Sequence, residues 1–271
     1  MRTSKILILF VVYLIGFNGY GWPNSEENTL VLEVSDQGYL FTDITIADKK
    51  VKAMIDFGDP NQIQLSERLV KALELPLEAT GKRMAHVNGE SWELFKGTIK
   101  KLTVGSWIFN KVQFYNPQDE IEQVSSMVNV DFNAILGWKF FEPYVTHLDY
   151  NARRIKLFKR LPAQNLPELW LDYNKDYSYL VISLKYGDTF QKFILDTASP
   201  ISVIDQKLFK TSPNRVITLN KTKVNLEFYP QDLSILKDLK VVGILGADFL
   251  KQYGLLIDPK FKRIGLYQLK N

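Results

Sequence analysis

The segment Tyr39–Leu65, YLFTDITIADKKVKAMIDFGDPNQIQL, is echoed by Tyr179–Asp205, YLVISLKYGDTFQKFILDTASPISVID. Each reads as a strand, a polar turn, a second strand ending in Asp, a turn with Pro, and another alternating strand. Asp56 aligns with Asp196 and Pro60 with Pro200, both at an offset of 140. A second echo follows. Ala134-Ile135-Leu136-Gly137, then His147-Leu148-Asp149 and Arg154-Ile155-Lys156-Leu157, match Gly243-Ile244-Leu245-Gly246, Leu256-Ile257-Asp258 and Arg263-Ile264-Gly265-Leu266 at an offset of 109. The offsets differ by 31, so the second copy is shorter by that many residues between its Asp and its Ile-Leu-Gly. A repeat of this length constrains the fold more than composition does, because each copy must close a core of the same plan.

The plan is mainly β. Aromatic and β-branched residues fall in short runs between turn residues, and 46% of the 271 residues are hydrophobic, enough for two modest cores. Ser66 is placed to cap a short helix through Leu69, Val70 and Leu73, and a short helix is expected after each Ile-Leu-Gly. Two prolines and no periodicity mark residues 161–168 as a linker, giving an N-terminal lobe over 22–160 and a C-terminal lobe over 169–271.

Residues 1–21 read as a secretory signal peptide. Arg2 and Lys5 precede an apolar run from Ile6 to Phe17, and Gly19 and Gly21 provide small residues before a cleavage point ahead of Trp22. The expected location is outside the cytoplasm, periplasmic or extracellular, with no stable membrane span after cleavage; the competing reading is an uncleaved N-terminal anchor. Loss of Arg2 and Lys5 lowers the formal charge from +4 to +2. No basic patch interleaves with aromatics, so a nucleic-acid partner is not expected. There is no cysteine, hence neither disulfide nor lipid attachment through a thiol.

Two copies of a lobe can pack about a pseudo-twofold axis within one chain. An axis beside the loops at Asp56 and Asp196 would bring their carboxyls together at the floor of an interlobe cleft. Two carboxylates that close share one proton. One then accepts a proton from water while the other donates to a carbonyl oxygen, which is acid–base hydrolysis without a covalent intermediate.

With these residues in view the chain resembles the aspartic protease family, in particular bacterial tandem forms with two retropepsin-like, pepsin-like bilobal halves. The resemblance covers about Leu30 to Leu269. It implies an all-β double barrel with Asp56 and Asp196 as catalytic acids. The family pattern is an apolar strand, then Asp-Thr/Ser-Gly-Ser/Ala, then two apolar residues and Gly. The chain supplies Met54-Ile55-Asp56-Phe57-Gly58-Asp59 with Ile135-Leu136-Gly137, and Ile194-Leu195-Asp196-Thr197-Ala198-Ser199 with Ile244-Leu245-Gly246. Gly137 and Gly246 are expected where only a residue without Cβ lets the strands and Asp loops approach. Both motifs depart from the pattern. The resemblance implies a hydroxyl at the second position that bonds across to the other lobe; Thr197 can do this and Phe57 cannot. Gly58 keeps the third position, where Ala198 adds a methyl beside the substrate path. At the fourth, Ser199 is expected to support its Asp, whereas Asp59 sets a third carboxylate beside Asp56.

The extra 31 residues of the first copy include Met84 to Gly97, with Asn88-Gly89 at the centre, a strong two-residue hairpin signal. This hairpin, with Trp92 facing the ligand, is expected to be a flap over the cleft, and the second lobe is expected to lack one, as in pepsin-like enzymes. Asp56-Phe57-Gly58 also spells a kinase metal motif, but no glycine-rich loop or His-Arg-Asp accompanies it. With only His86 and His147, neither a metal site nor a Ser-His-Asp triad has its material. The sequence therefore points to an exported, monomeric aspartic endopeptidase acting on a peptide or protein substrate, with no cofactor and no metal. The alternative is a catalytically inactive relative that binds a peptide or partner in the same cleft.

Overall fold

The computed structural model describes residues 26–85, 91–162, 166–167, 169–174, 177–211, 216–219 and 222–268. The segment read as a signal peptide, residues 1–21, lies outside them, as do 163–165 and 168 of the linker. The chain is mainly β, with about half its residues in strands, arranged as a closed six-stranded barrel and a second large sheet.

The first half runs β1 (Glu27–Val31), β2 (Glu33–Val34), β3 (Leu40–Ile46), β4 (Lys49–Asp56), β5 (Ile63–Leu65), α1 (Glu67–Ala72), β6 (Glu78–Ala85), β7 (Ser91–Val104), β8 (Trp107–Asn116), α2 (Glu120–Val128), β9 (Ala134–Gly137), α3 (Trp138–Phe141), β10 (Val145–Asp149) and β11 (Arg154–Phe158). The second half runs β12 (Leu169–Asn174), β13 (Val181–Tyr186), β14 (Thr189–Leu195), β15 (Val203–Asp205), α4 (Gln206–Thr211), β16 (Val216–Leu219), β17 (Thr222–Asn225), β18 (Tyr229–Gln231), a 3-10 helix (Ser234–Leu239), β19 (Gly243–Leu245), α5 (Ala247–Leu250), β20 (Tyr253–Asp258) and β21 (Arg263–Gln268).

The barrel closes through β3-β4-β9-β5-β8-β7 and back to β3. From Asp43 to Ile46 polar and apolar residues alternate, the period-2 signal of a strand, and β3 follows it: Ile44 and Ile46 are buried, Asp43 is exposed and Thr45 is half-buried. Ser66 caps α1 through its side chain, accepting from the Leu69 N–H at 3.1 Å. Helices α3 and α5 follow Gly137 and Gly246, as the motif spacing predicts.

The halves share a sheet. Strands β1, β11 and β10 continue into β20, β21 and β12, and the joint is the antiparallel pair β10–β20. In that pair His147 lies opposite Leu256, its own counterpart at the offset of 109. His147 is half-buried and stacks on Tyr267 with ring centroids 5.4 Å apart, a packing role.

Two features that position the site have weak sequence signals. Helix α2 has no side-chain cap bond, and of its four apolar residues Ile121 and Val128 are buried, Val124 is partly buried and Met127 is exposed. The place after β18 in the second half has only a 3-10 helix with no buried residue.

Candidate active site

Each Asp ends a strand that pairs in parallel with the strand carrying Ile-Leu-Gly. Strand β4 pairs with β9, setting Asp56 opposite Gly137, and β14 pairs with β19 in the same sense. Parallel pairing buries these strands on both faces, which is why Met54-Ile55 and Ile194-Leu195 are continuous apolar runs.

The loops that follow are built alike. The Gly58 N–H donates to Asp56 Oδ1 at 2.7 Å, and the Ala198 N–H donates to Asp196 Oδ1 at 2.7 Å. The carbonyl of Asp59 accepts from the Trp138 N–H, and that of Ser199 from the Ala247 N–H, both at 2.8 Å. The glycines are needed for contact. A Cβ on Gly137 would lie 2.3 Å from the Asn61 carbonyl oxygen, and one on Gly246 2.5 Å from that of Ser199.

The two loops face one another. A Cβ on Gly58 would lie 2.5 Å from Asp196 Cγ, so the backbone of one loop abuts the carboxyl of the other. Asp56 and Asp196 are both half-buried and lie within reach of one another's charge. Burial raises the proton affinity of Asp56 well above the usual carboxylate range; the Asp196 and Asp59 charges add to this, and the N–H groups of Gly58 and Asp59 oppose it. Burial likewise raises Asp196, opposed by the Ala198 N–H, the adjoining Asp56 carboxyl and the Ser199 N–H. Together these groups favour a pair that keeps one proton between them.

Thr197 is fully buried and ties the loops. Its Oγ1 accepts from the Phe57 N–H at 2.9 Å and donates to the Ile55 carbonyl at 2.7 Å. Phe57 has no hydroxyl to return the bond. Its ring is 0% exposed and packs edge-on against Trp138, centroids 5.8 Å apart, and Phe141, 5.1 Å apart.

Asp59 does sit in this buried environment, as the sequence suggests, but its carboxylate is turned to its own loop. Oδ1 accepts from the Asn61 N–H at 2.9 Å and Asn61 Nδ2 at 2.7 Å, and Oδ2 accepts from Gln64 Nε2 at 2.7 Å. Burial raises its proton affinity and these three donors lower it. Two expectations change in detail. The Ser199 hydroxyl donates to the Ile201 carbonyl at 2.8 Å, so this residue supports Asp196 through its backbone N–H. Ala198 packs against the first-half cluster of Phe41, Met54, Ile121, Val128, Phe132 and Ile135.

Asn88 and Gly89, the expected flap tip, lie outside the described residues, as does His86. The strands below the tip are described: β6 and β7 pair antiparallel, with Met84 opposite Trp92 and Ala85 opposite Ser91. In the second half, β16–β17 is the described hairpin between α4 and β18. It pairs with β13 at Lys185 and Tyr186, as the base of β7 pairs with β3 at Ile44 to Ile46. Among the described residues nothing in the second half corresponds to the β6–β7 extension.

Sequence reasoning missed Glu120, at the start of α2. It is 8% exposed, and burial followed by the Asp59 charge pushes its carboxyl up to about 7. Gln118, Asp119, Glu122 and Gln123 surround it, so the local pattern marks Ile121 as interior and not Glu120. Among the described residues no group of three or more His, Cys, Asp or Glu gathers as a metal site.

Residues 42–140 match the model of a family described as aspartyl protease. The match spans β3 to α3 and so contains Asp56, Phe57, Gly58 and Gly137. It supports an aspartic-protease relationship for the chain and aspartic-type peptidase activity in general. No curated protein matches the chain. Among the described residues no helix is long and apolar enough to cross a membrane.

Proposed function

We propose that the chain is an exported aspartic endopeptidase, built by internal duplication from two lobes over 22–160 and 169–271 joined by a linker at 161–168. The observation that carries the reading is the pair Asp56–Asp196, two carboxyls on abutting loops of like build, each with an N–H donor on Oδ1. In this reading water is activated between the two acids. The ionised carboxylate takes a proton from water as it attacks a peptide carbonyl, and the protonated partner donates to the carbonyl oxygen. The β6–β7 hairpin serves as the flap over the cleft, and the protein works as a monomer on extended peptide or protein substrates without a cofactor.

A second reading has its own observation. Phe57 fills the place of one tying hydroxyl, so the paired loops hold a single Thr anchor, and the cleft could bind a peptide without cutting it. Incubation of purified chain lacking residues 1–21 with a mixed peptide library, from acidic to neutral pH, decides between them. Cleavage that vanishes in Asp196→Asn supports the enzyme. Cleavage that survives in both Asp56→Asn and Asp196→Asn, with contaminants excluded, sinks the dyad. Peptide retention without cleavage supports the binding protein. N-terminal sequencing of the protein from its native cells tests export: Trp22 first supports it, and Met1 recovered from membranes favours the anchor.

A further inference from the structure

Helix α2 has a buried acid at its first position and an apolar face beneath it. Glu120 is more than nine-tenths buried, and its Oε2 has no hydrogen-bond partner among the described residues. One residue on, Ile121 enters the cluster of Phe41, Met54, Val128, Phe132 and Ile135. That cluster is a floor common to both acid loops. Met54 lies two residues before Asp56, Ile135 two before Gly137, and Ala198 of the opposite loop packs on it. Whatever disturbs the seat of α2 therefore reaches both loops through direct contact.

We propose that Glu120 is a positioning residue for the acid pair: neutral, it lets α2 seat on the common floor, and ionised, it lifts the helix and loosens the loops. This rests on the reading of Asp56 and Asp196 as the working acids. The charges around it make ionisation costly. Asp59, the neighbouring acid, has three N–H donors that favour its ionised form. Behind Asp59 stand Asp56, Asp196 and the phenol of Tyr179. Asp119 and Glu122 share α2's end with Glu120. Arg68, on the helix packed against α2, spends its guanidinium on Asp131 and Asn133, and its backbone N–H on Glu122. A second anion beside Asp59 thus meets no compensating cation among these groups, and burying it unpaired is unfavourable. The 3-10 helix at the matching place in the second half also packs on an apolar cluster, through Leu236 and Leu239, but it carries no buried residue and so no buried acid, and the device is one-sided.

The test is amide hydrogen exchange on the wild type, Glu120→Gln and Glu120→Leu, each as the chain lacking residues 1–21, compared at equal pH. At about pH 8, peptides carrying the Phe57 and Ala198 amides should exchange about tenfold more slowly in Glu120→Gln than in the wild type, and at about pH 5.5 they should coincide. Glu120→Leu should follow Glu120→Gln, since both lack the charge. If the wild type cleaves peptides, the alkaline fall of kcat should move to higher pH in Glu120→Gln with KM unchanged. Equal exchange at both pH values overturns the proposal. Faster exchange in both variants at both pH values also overturns it, because that is the signature of a merely structural side chain. Absence of cleavage with the exchange difference intact removes the peptidase reading and leaves the positioning of the loops standing.

Discussion

The loop at 56–60 and the loop at 196–200 solve one geometric problem by different means. Both end an apolar strand in Asp, give that Asp an N–H donor, and accept an N–H from the helix after Gly137 or Gly246. The second loop is anchored by a buried hydroxyl that reaches across to Ile55 and Phe57. The first is anchored by an aromatic ring wedged between Trp138 and Phe141. Directional bonding fixes one side of the site and close packing fixes the other. A paired site therefore does not require paired chemistry; it requires that each loop have one anchor that resists displacement.

The comparison breaks first at the acids. Asp56→Asn and Asp196→Asn should each lower kcat by roughly a thousandfold or more while leaving the thermal midpoint unchanged or raised, since each removes half of a buried like-charged pair. A large loss in one variant and none in the other would show that the loops are not functional equivalents.

Next come the anchors. Phe57→Ala should cost about 3–5 kcal/mol in chemical denaturation because it empties a fully packed site. Thr197→Val should cost about 2–3 kcal/mol, leaving the Phe57 N–H and the Ile55 carbonyl without their partner. Phe57→Thr should also destabilise, because the cage around position 57 is shaped for a ring. If Thr197→Val is harmless, the packed loop alone holds the register.

Acidity gives the third effect. Asp56, Asp59, Asp196 and Glu120 all have raised proton affinities in the folded chain. A raised acid contributes stability that is fully present below its unfolded pKa and is lost as pH rises through its folded one. For Glu120 the window runs from 4.5 to about 7, and across it stability should fall by up to about 3 kcal/mol. Thermal melts from acidic to neutral pH should show a declining midpoint, less steep in Glu120→Gln.

The two smallest effects sharpen the comparison. Asp59→Asn removes a charge that raises Asp56, so the acid pair should titrate at lower pH, read from the pH profile of kcat. Ala198→Gly removes a methyl from the first-half cluster and should cost under about 1 kcal/mol in denaturation.

Much of this was legible in the sequence because it is local or repeated. Ser66 marks the start of α1 by its own side chain, and each Ile-Leu-Gly announces the strand beneath an Asp. The two similar segments mark the loops, and Phe57, Asp59 and Ala198 stand out where the segments differ. What escaped depends on contacts between distant segments. Asp59 reads as a charge beside Asp56, yet Asn61 and Gln64 claim its oxygens. Ser199 reads as a support for Asp196, yet the bend at Ile201 takes its hydroxyl. Glu120 sits in a polar stretch and is interior only because α2 lies down on strands far away in the chain.

The strand joint at His147 and Leu256 makes the shared sheet depend on residues from near the end of the chain. Strand β20 inserts between β10 and β21, near the end of the chain, and Thr197 must reach back 142 residues to the Ile55 carbonyl. The barrel of the first half is built from its own strands alone, and by itself it holds one acid and no partner. Whatever the acid pair does is therefore withheld from a chain truncated before the second loop.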